Sequence, residues 1–155
     1  MGSQVRIACL LFFCTSWACA TESSTRFVQK LALPFKQTAV VAEGDLEARS
    51  TGSYSVRIYS TERAQPGDDT TFFSSGIIRA RDGTVEKVFL ASLDKSKALN
   101  LVVEIRSAGT GGYLSADAFI VTKNRITLGA SVSGLPPDAD PVVALKASLL
   151  RKKSP

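Results

Sequence analysis

The chain has no histidine, and only three cysteines, one methionine and one tryptophan. Without histidine there is no Ser-His or Cys-His dyad and no histidine-ligated zinc. The enzymatic chemistry left open is that of carboxylates, lysine, tyrosine or bare hydroxyls. The sequence also lacks any extreme bias: 45% of its residues are hydrophobic and 21% are charged, which excludes collagen-like, low-complexity and wholly disordered chains. Its 155 residues suit one domain of ordinary size, able to bury a core without staples. No internal repeat and no second domain are visible.

The scarce residue types gather at the N-terminus. Arg6 supplies a short positive start, residues 7–14 form an apolar run, and Ala18-Cys19-Ala20 is an A-x-A cleavage pattern. This predicts a secretory signal peptide over residues 1–20, its apolar run too short to cross a bilayer as a helix. Ser16 and Trp17 do not suit a lipobox, so no membrane anchor on Cys19 is expected. Cleavage near Ala20 removes every cysteine, the tryptophan and the methionine. The expected mature chain, residues 21–155, is one β domain with 18 basic and 14 acidic side chains. It must fold on its core alone, without disulfides. It offers no thiolate or imidazole, and no metal or cofactor is expected.

The mature chain reads mostly as strands. Tyr54, Val56 and Ile58 alternate with Ser55, Arg57 and Tyr59, and Leu99, Leu101, Val103 and Ile105 alternate with Asn100, Val102, Glu104 and Arg106. Residues 113–122 and 125–132 read the same way. Asp82-Gly83 between two apolar runs signals a two-residue hairpin, and Lys123-Asn124 a second turn. Turn signals about ten residues apart favour an all-β fold, an antiparallel sandwich or a barrel-like sheet. After Leu135-Pro136-Pro137 the pattern changes. Asp140-Pro141 offers an N-cap and a first-turn proline. Val142, Leu145 and Leu149 then recur at helical spacing, which predicts a short C-terminal helix.

Lysines and arginines outnumber acidic residues by 19 to 14, but apart from Arg151-Lys152-Lys153 at the C-terminus they are scattered along the strands without interleaved aromatics, so no nucleic-acid partner is expected. Asp68-Asp69, Asp138 and Asp140 lie in turn-like segments, where carboxylates solvate or cap. Asp94-Lys95-Ser96-Lys97 is a poor calcium loop because lysines interrupt its oxygen donors. The most unusual segment is Arg106-Ser107-Ala108-Gly109-Thr110-Gly111-Gly112-Tyr113-Leu114-Ser115, with three glycines within four residues. A hairpin needs one or two residues that tolerate positive φ, and this segment adds hydroxyls and an aromatic ring. It lacks the lysine of a P-loop and precedes a strand. It reads as a recognition loop carried by a rigid sheet. Ser53 and Tyr54, after Gly52, are a weaker second candidate whose plain alternative is a strand-entry turn.

Three stretches, T-G-S-Y-S-V-R-I-Y (51–59), G-I-I-R-A-R-D-G-T-V-E (76–86) and R-S-A-G-T-G-G-Y-L-S-A-D-A-F (106–119), resemble the periplasmic inhibitors of invertebrate-type (i-type) lysozyme. The resemblance spans residues 50 to 120, and the third stretch is the specific one. It implies a β-rich, periplasmic protein that is not an enzyme. It also implies that the partner is an i-type lysozyme, whose substrate cleft a loop from Ser107 to Ser115 enters, with Thr110 and Tyr113 as main contacts. A lysozyme cleft holds two carboxylates, which accept hydrogen bonds from hydroxyls and from the unhindered N–H groups of Gly109, Gly111 and Gly112. The rival readings are a glycan- or envelope-binding module without inhibitory activity and a carboxylate-based hydrolase. The sequence leaves a homodimer open.

Overall fold

The structure is a computed structural model that describes residues 25–67, 69–94 and 98–153. The expected signal peptide and its cleavage point, Asp68, and the Lys95-Ser96-Lys97 segment lie outside the described residues. Eight strands are followed by one helix: β1 Val28–Leu33, β2 Gln37–Glu43, β3 Thr51–Ser60, β4 Phe72–Asp82, β5 Thr84–Ser92, β6 Leu99–Arg106, β7 Leu114–Val121, β8 Ile126–Leu135 and α1 Pro141–Lys153. They form two four-stranded antiparallel sheets, ordered β1-β2-β3-β4 and β5-β6-β7-β8. The sheets are not closed into a barrel. Of the two expected all-β architectures, the sandwich with a short C-terminal helix is the one adopted.

Between the sheets lies the main core. Ala39 and Val41 of β2 and Tyr54, Val56 and Ile58 of β3 meet Val85 and Val88 of β5, Leu101, Val103 and Ile105 of β6, and Phe119 of β7. The period-2 pattern of β3 was legible in the sequence, and its buried face is the expected one. The hairpin at Lys123-Asn124 also forms, closed by the Thr122 N–H donating to the Arg125 carbonyl at 2.9 Å.

Two expectations need correction. The Asp82-Gly83 signal does not make a hairpin: β4 and β5 belong to different sheets, and the chain bends from one to the other at Gly83. Such bends are how a strand switches sheets at a sandwich corner. Gly83 has φ +108°, and its N–H donates to the Ser50 carbonyl at 2.6 Å, so the backbone donor goes to a neighbouring loop and not across a turn. In addition, β6 is not half-exposed. Val102, on the face expected to meet solvent, is fully buried, because α1 covers that side of the second sheet.

The helix is placed by its cap and its apolar positions. Asp140 Oδ1 accepts the Val142 N–H at 2.8 Å, satisfying one orphan donor of the first turn. Leu145 is fully buried with Val102, Ala116, Ala118 and Ala130, and Val142 and Leu149 pack around them. Alanines on β7 and β8 leave room for the helix to approach, and burial of Leu145 contributes roughly 2 kcal/mol. An irregularity in the β7–β8 register lets β8 serve both layers. Ala118 pairs with Ala130 but Phe119 with Leu128, so Gly129 is an extra residue in the strand. Ile126 and Leu128 therefore face the other sheet, while Ala130 and Val132 face α1. Among the described residues nothing covers the outer face of the first sheet in this way, and Val28, Phe73 and Ile78 are exposed on it.

Candidate functional site

The glycine-rich segment projects from one end of the sandwich, between β6 and β7. The loop proper is residues 107–113, shorter than the stretch singled out in the sequence. Leu114 is buried, and Ser115 pairs with Ile105 inside the β6–β7 ladder. Ser115 is thus a strand residue, set apart from the exposed loop tip.

The base of the loop is pinned. The Ser107 N–H donates to the Tyr113 carbonyl at 2.9 Å, and the Gly112 N–H to the Gly109 carbonyl at 3.1 Å. Arg106 braces both sides: its Nη1 donates to the Gly112 carbonyl at 3.0 Å, and its Nε to Glu86 Oε2 on β5 at 2.7 Å. Above this base Gly109, Thr110, Gly111 and Tyr113 are exposed, and Ser107 and Gly112 are half-buried. Tyr113 is 54% exposed, too much for a residue serving a core.

The three glycines have different reasons to lack a side chain. Gly112 sits at φ +53°, in the left-handed region that costs other residues energy. A Cβ on Gly111 would lie 2.5 Å from the Tyr113 ring edge, so its absence lets the ring fold over the backbone. Gly109 has neither reason: its φ is outside the left-handed region and a Cβ there would meet nothing within 4 Å. The fold does not require glycine at that position.

The second sequence candidate turns out differently. Tyr54 is fully buried, so its side chain belongs to the core and presents no surface to a partner. Its hydroxyl donates to Asp117 Oδ2 at 2.6 Å, and Arg79 Nε donates to the same oxygen at 3.1 Å. Burial, reinforced by the Asp117 charge and this hydrogen bond, pushes the Tyr54 hydroxyl far above the usual tyrosine range. Tyr54 therefore keeps its proton and donates it to Asp117. Asp117 in turn raises the Arg79 guanidinium, chiefly through their hydrogen bond.

Ser53 is also committed internally. Its hydroxyl donates to Glu47 Oε1 at 2.7 Å and its N–H to Glu47 Oε2. These two bonds, the hydroxyl first, hold the Glu47 carboxyl below the usual carboxylate range. Because the folded value is depressed, the anchoring is complete above the unfolded value of about 4.3. It is lost as pH falls through the lower folded value. A carbon-13 NMR titration of the Glu47 carboxyl should give a midpoint below the ordinary carboxylate range in the wild type and a higher one in Ser53→Ala. Equal midpoints would remove the Ser53 hydroxyl as the cause and leave its backbone N–H.

Sequence reasoning passed over Arg81, which organises this end of the molecule. Its side chain is completely buried and lies 3.7 Å from Glu43. It donates to the carbonyls of Ala48 at 3.0 Å, Arg49 at 2.7 Å, Ser53 at 3.1 Å, and to that of Gly83. A signal did exist: Arg79 and Arg81 share the strand face of Ile77, and cations on an inward face need buried partners. Asp117 and Glu43 are those partners.

A family model described as periplasmic lysozyme inhibitor of I-type lysozyme matches residues 25–149. Among solved structures, the chain is similar to the Aeromonas hydrophila periplasmic lysozyme inhibitor of I-type lysozyme. The identity is 40% over 77% of this chain and 98% of that one, with a TM-score of 0.68. It is likewise similar to the A. hydrophila inhibitor solved in complex with Meretrix lusoria lysozyme, at 41% identity over 77% of this chain and 95% of that one, with a TM-score of 0.67. No curated protein matches it. The chain belongs to the family of periplasmic lysozyme inhibitors of I-type lysozyme.

Proposed function

We propose that this protein works in the periplasm, after removal of residues 1–20, as an inhibitor of I-type lysozyme. In this reading it enters the enzyme's substrate cleft with the 107–113 loop and excludes peptidoglycan. The observation that carries the loop assignment is Gly109, a glycine for which the fold itself has no use. Close approach of a partner's surface is a reason for it that lies outside the chain. Thr110 and Tyr113 flank the bare stretch and present a hydroxyl and a phenol, both able to donate to catalytic carboxylates. The bracing of the loop base by Arg106 lowers the ordering cost of binding. No bond is made or broken, so the missing histidine is no handicap.

Tyr113→Ala is expected to weaken binding to an I-type lysozyme by about 2 kcal/mol, or roughly 30-fold, as exposed aromatic anchors do elsewhere. Gly109→Ala should weaken binding too, while leaving thermal stability equal to wild type or slightly higher. Calorimetric titration with the lysozyme and thermal unfolding of the free variants provide both readouts. If both variants bind as wild type does, the 107–113 loop is not the inserted element.

A further inference from the structure

A second loop stands beside the first. Residues 44–50, between β2 and β3, share Gly83 as a common wall with the glycine-rich loop. The Gly83 N–H donates to the Ser50 carbonyl, and on its other side Gly83 abuts the Arg106 carbonyl and Ser107 Cα. The 44–50 loop is held on several sides. Arg81 takes its carbonyls at Ala48 and Arg49, Arg26 Nη2 donates to its carbonyl at Glu47, and the Glu47 carboxylate is locked onto Ser53.

At the tip of this pinned loop is Leu46, 100% exposed. A lone exposed leucine means little by itself. Here the residues around it, Gly44 and Glu47 to Ser50, are held by hydrogen bonds, two of them from a fully buried arginine, and none of the described residues covers the side chain.

We infer that Leu46 and the 44–50 loop form a second contact with the lysozyme, seated on the apolar wall of the cleft beside the site entered by the 107–113 loop. The inference rests on the reading that this end of the sandwich faces the enzyme. Ligand clefts are lined mostly by apolar and aromatic side chains around a few polar groups. The two loops divide that chemistry: Thr110 and Tyr113 offer the polar donors, and Leu46 offers the apolar anchor. A pinned loop loses little freedom on docking, so the burial of one leucine is not cancelled by ordering.

The test uses Leu46→Ala, Leu46→Asp and Tyr113→Ala in the full mature chain, titrated with M. lusoria lysozyme. Leu46 is fully exposed among the described residues, so both Leu46 variants should melt with the wild type. Leu46→Ala is expected to weaken binding about tenfold, mainly through faster dissociation, and Leu46→Asp by more. If both Leu46 variants bind as wild type while Tyr113→Ala is impaired, the second contact is refuted and the glycine-rich loop stands. If Tyr113→Ala alone binds as wild type, the 44–50 loop is the dominant contact and Tyr113 is not an anchor. Wild-type binding by all three variants overturns both.

Discussion

Arg81→Met is expected to lower the free energy of unfolding by about 4 kcal/mol, as breaking a buried charge pair from one side does. Methionine fills much of the volume but donates nothing. The carbonyls of Ala48, Arg49, Ser53 and Gly83 would lose a charged donor at once. Glu43, 5% exposed, would keep the Val85 N–H at 2.7 Å but lose its buried countercharge. Lysine should recover only part of the loss, because one ammonium cannot match a planar fork that reaches several acceptors. Arg57→Met, on the exposed face of β3, is the control and should stay within about 0.5 kcal/mol of wild type. Urea unfolding of the three variants supplies the numbers. A loss below about 1 kcal/mol for Arg81→Met would mean that water replaces the guanidinium.

Gly83→Ala is expected to cost about 3 kcal/mol or more, although glycine-to-alanine changes at compatible sites stabilise by up to about 1 kcal/mol. The new Cβ would overlap the Arg106 carbonyl oxygen and lie 2.6 Å from its carbon and 2.7 Å from Ser107 Cα. All three are backbone atoms, which cannot rotate away as a side chain would. The φ of +108° adds strain of its own. Relief requires β4 and β6 to separate at the point from which the glycine-rich loop departs. Binding to lysozyme should therefore fall together with stability. Gly109→Ala provides the contrast, with binding affected alone. Thermal unfolding and titration on the same samples separate the two cases. A Gly83→Ala protein as stable as wild type would refute the corner as a close-packed point.

Much of the fold was legible because period-2 alternation survives wherever one face is buried. The pattern in β3 placed Tyr54, Val56 and Ile58 together, and the Asp140-Pro141 cap placed the helix. The Gly83 corner was not legible, since Asp-Gly reports a backbone bend and not which strand pairs with which. The double burial of β6 was equally hidden. It depends on α1, about forty residues downstream, covering Val102. The first hairpin was not read from the sequence: Pro34 sits in its turn, but the positive-φ positions are Phe35 and Lys36, at φ +61° and +52°, where glycine or asparagine is usual. At the site, the sequence identified the exposed loop but could not separate Gly109, which the fold leaves free, from Gly111 and Gly112, which it uses. It also offered Tyr54 as a weaker binding candidate after Gly52, although the same alternation put its ring on the face of Val56 and Ile58, which the structure buries.

The strand order has a consequence for export. Every hydrogen-bonded neighbour in each sheet is also the neighbour in sequence, so no strand waits for a distant partner and the loops to be closed are short. The first sheet needs nothing beyond Asp82. A chain delivered across a membrane from its N-terminus can complete that sheet while β5 to β8 are still in transit. Val41, Val56 and Ile58 then face water until the second sheet arrives to cover them. That interval, and not the finished globule, is when the protein is most exposed to aggregation.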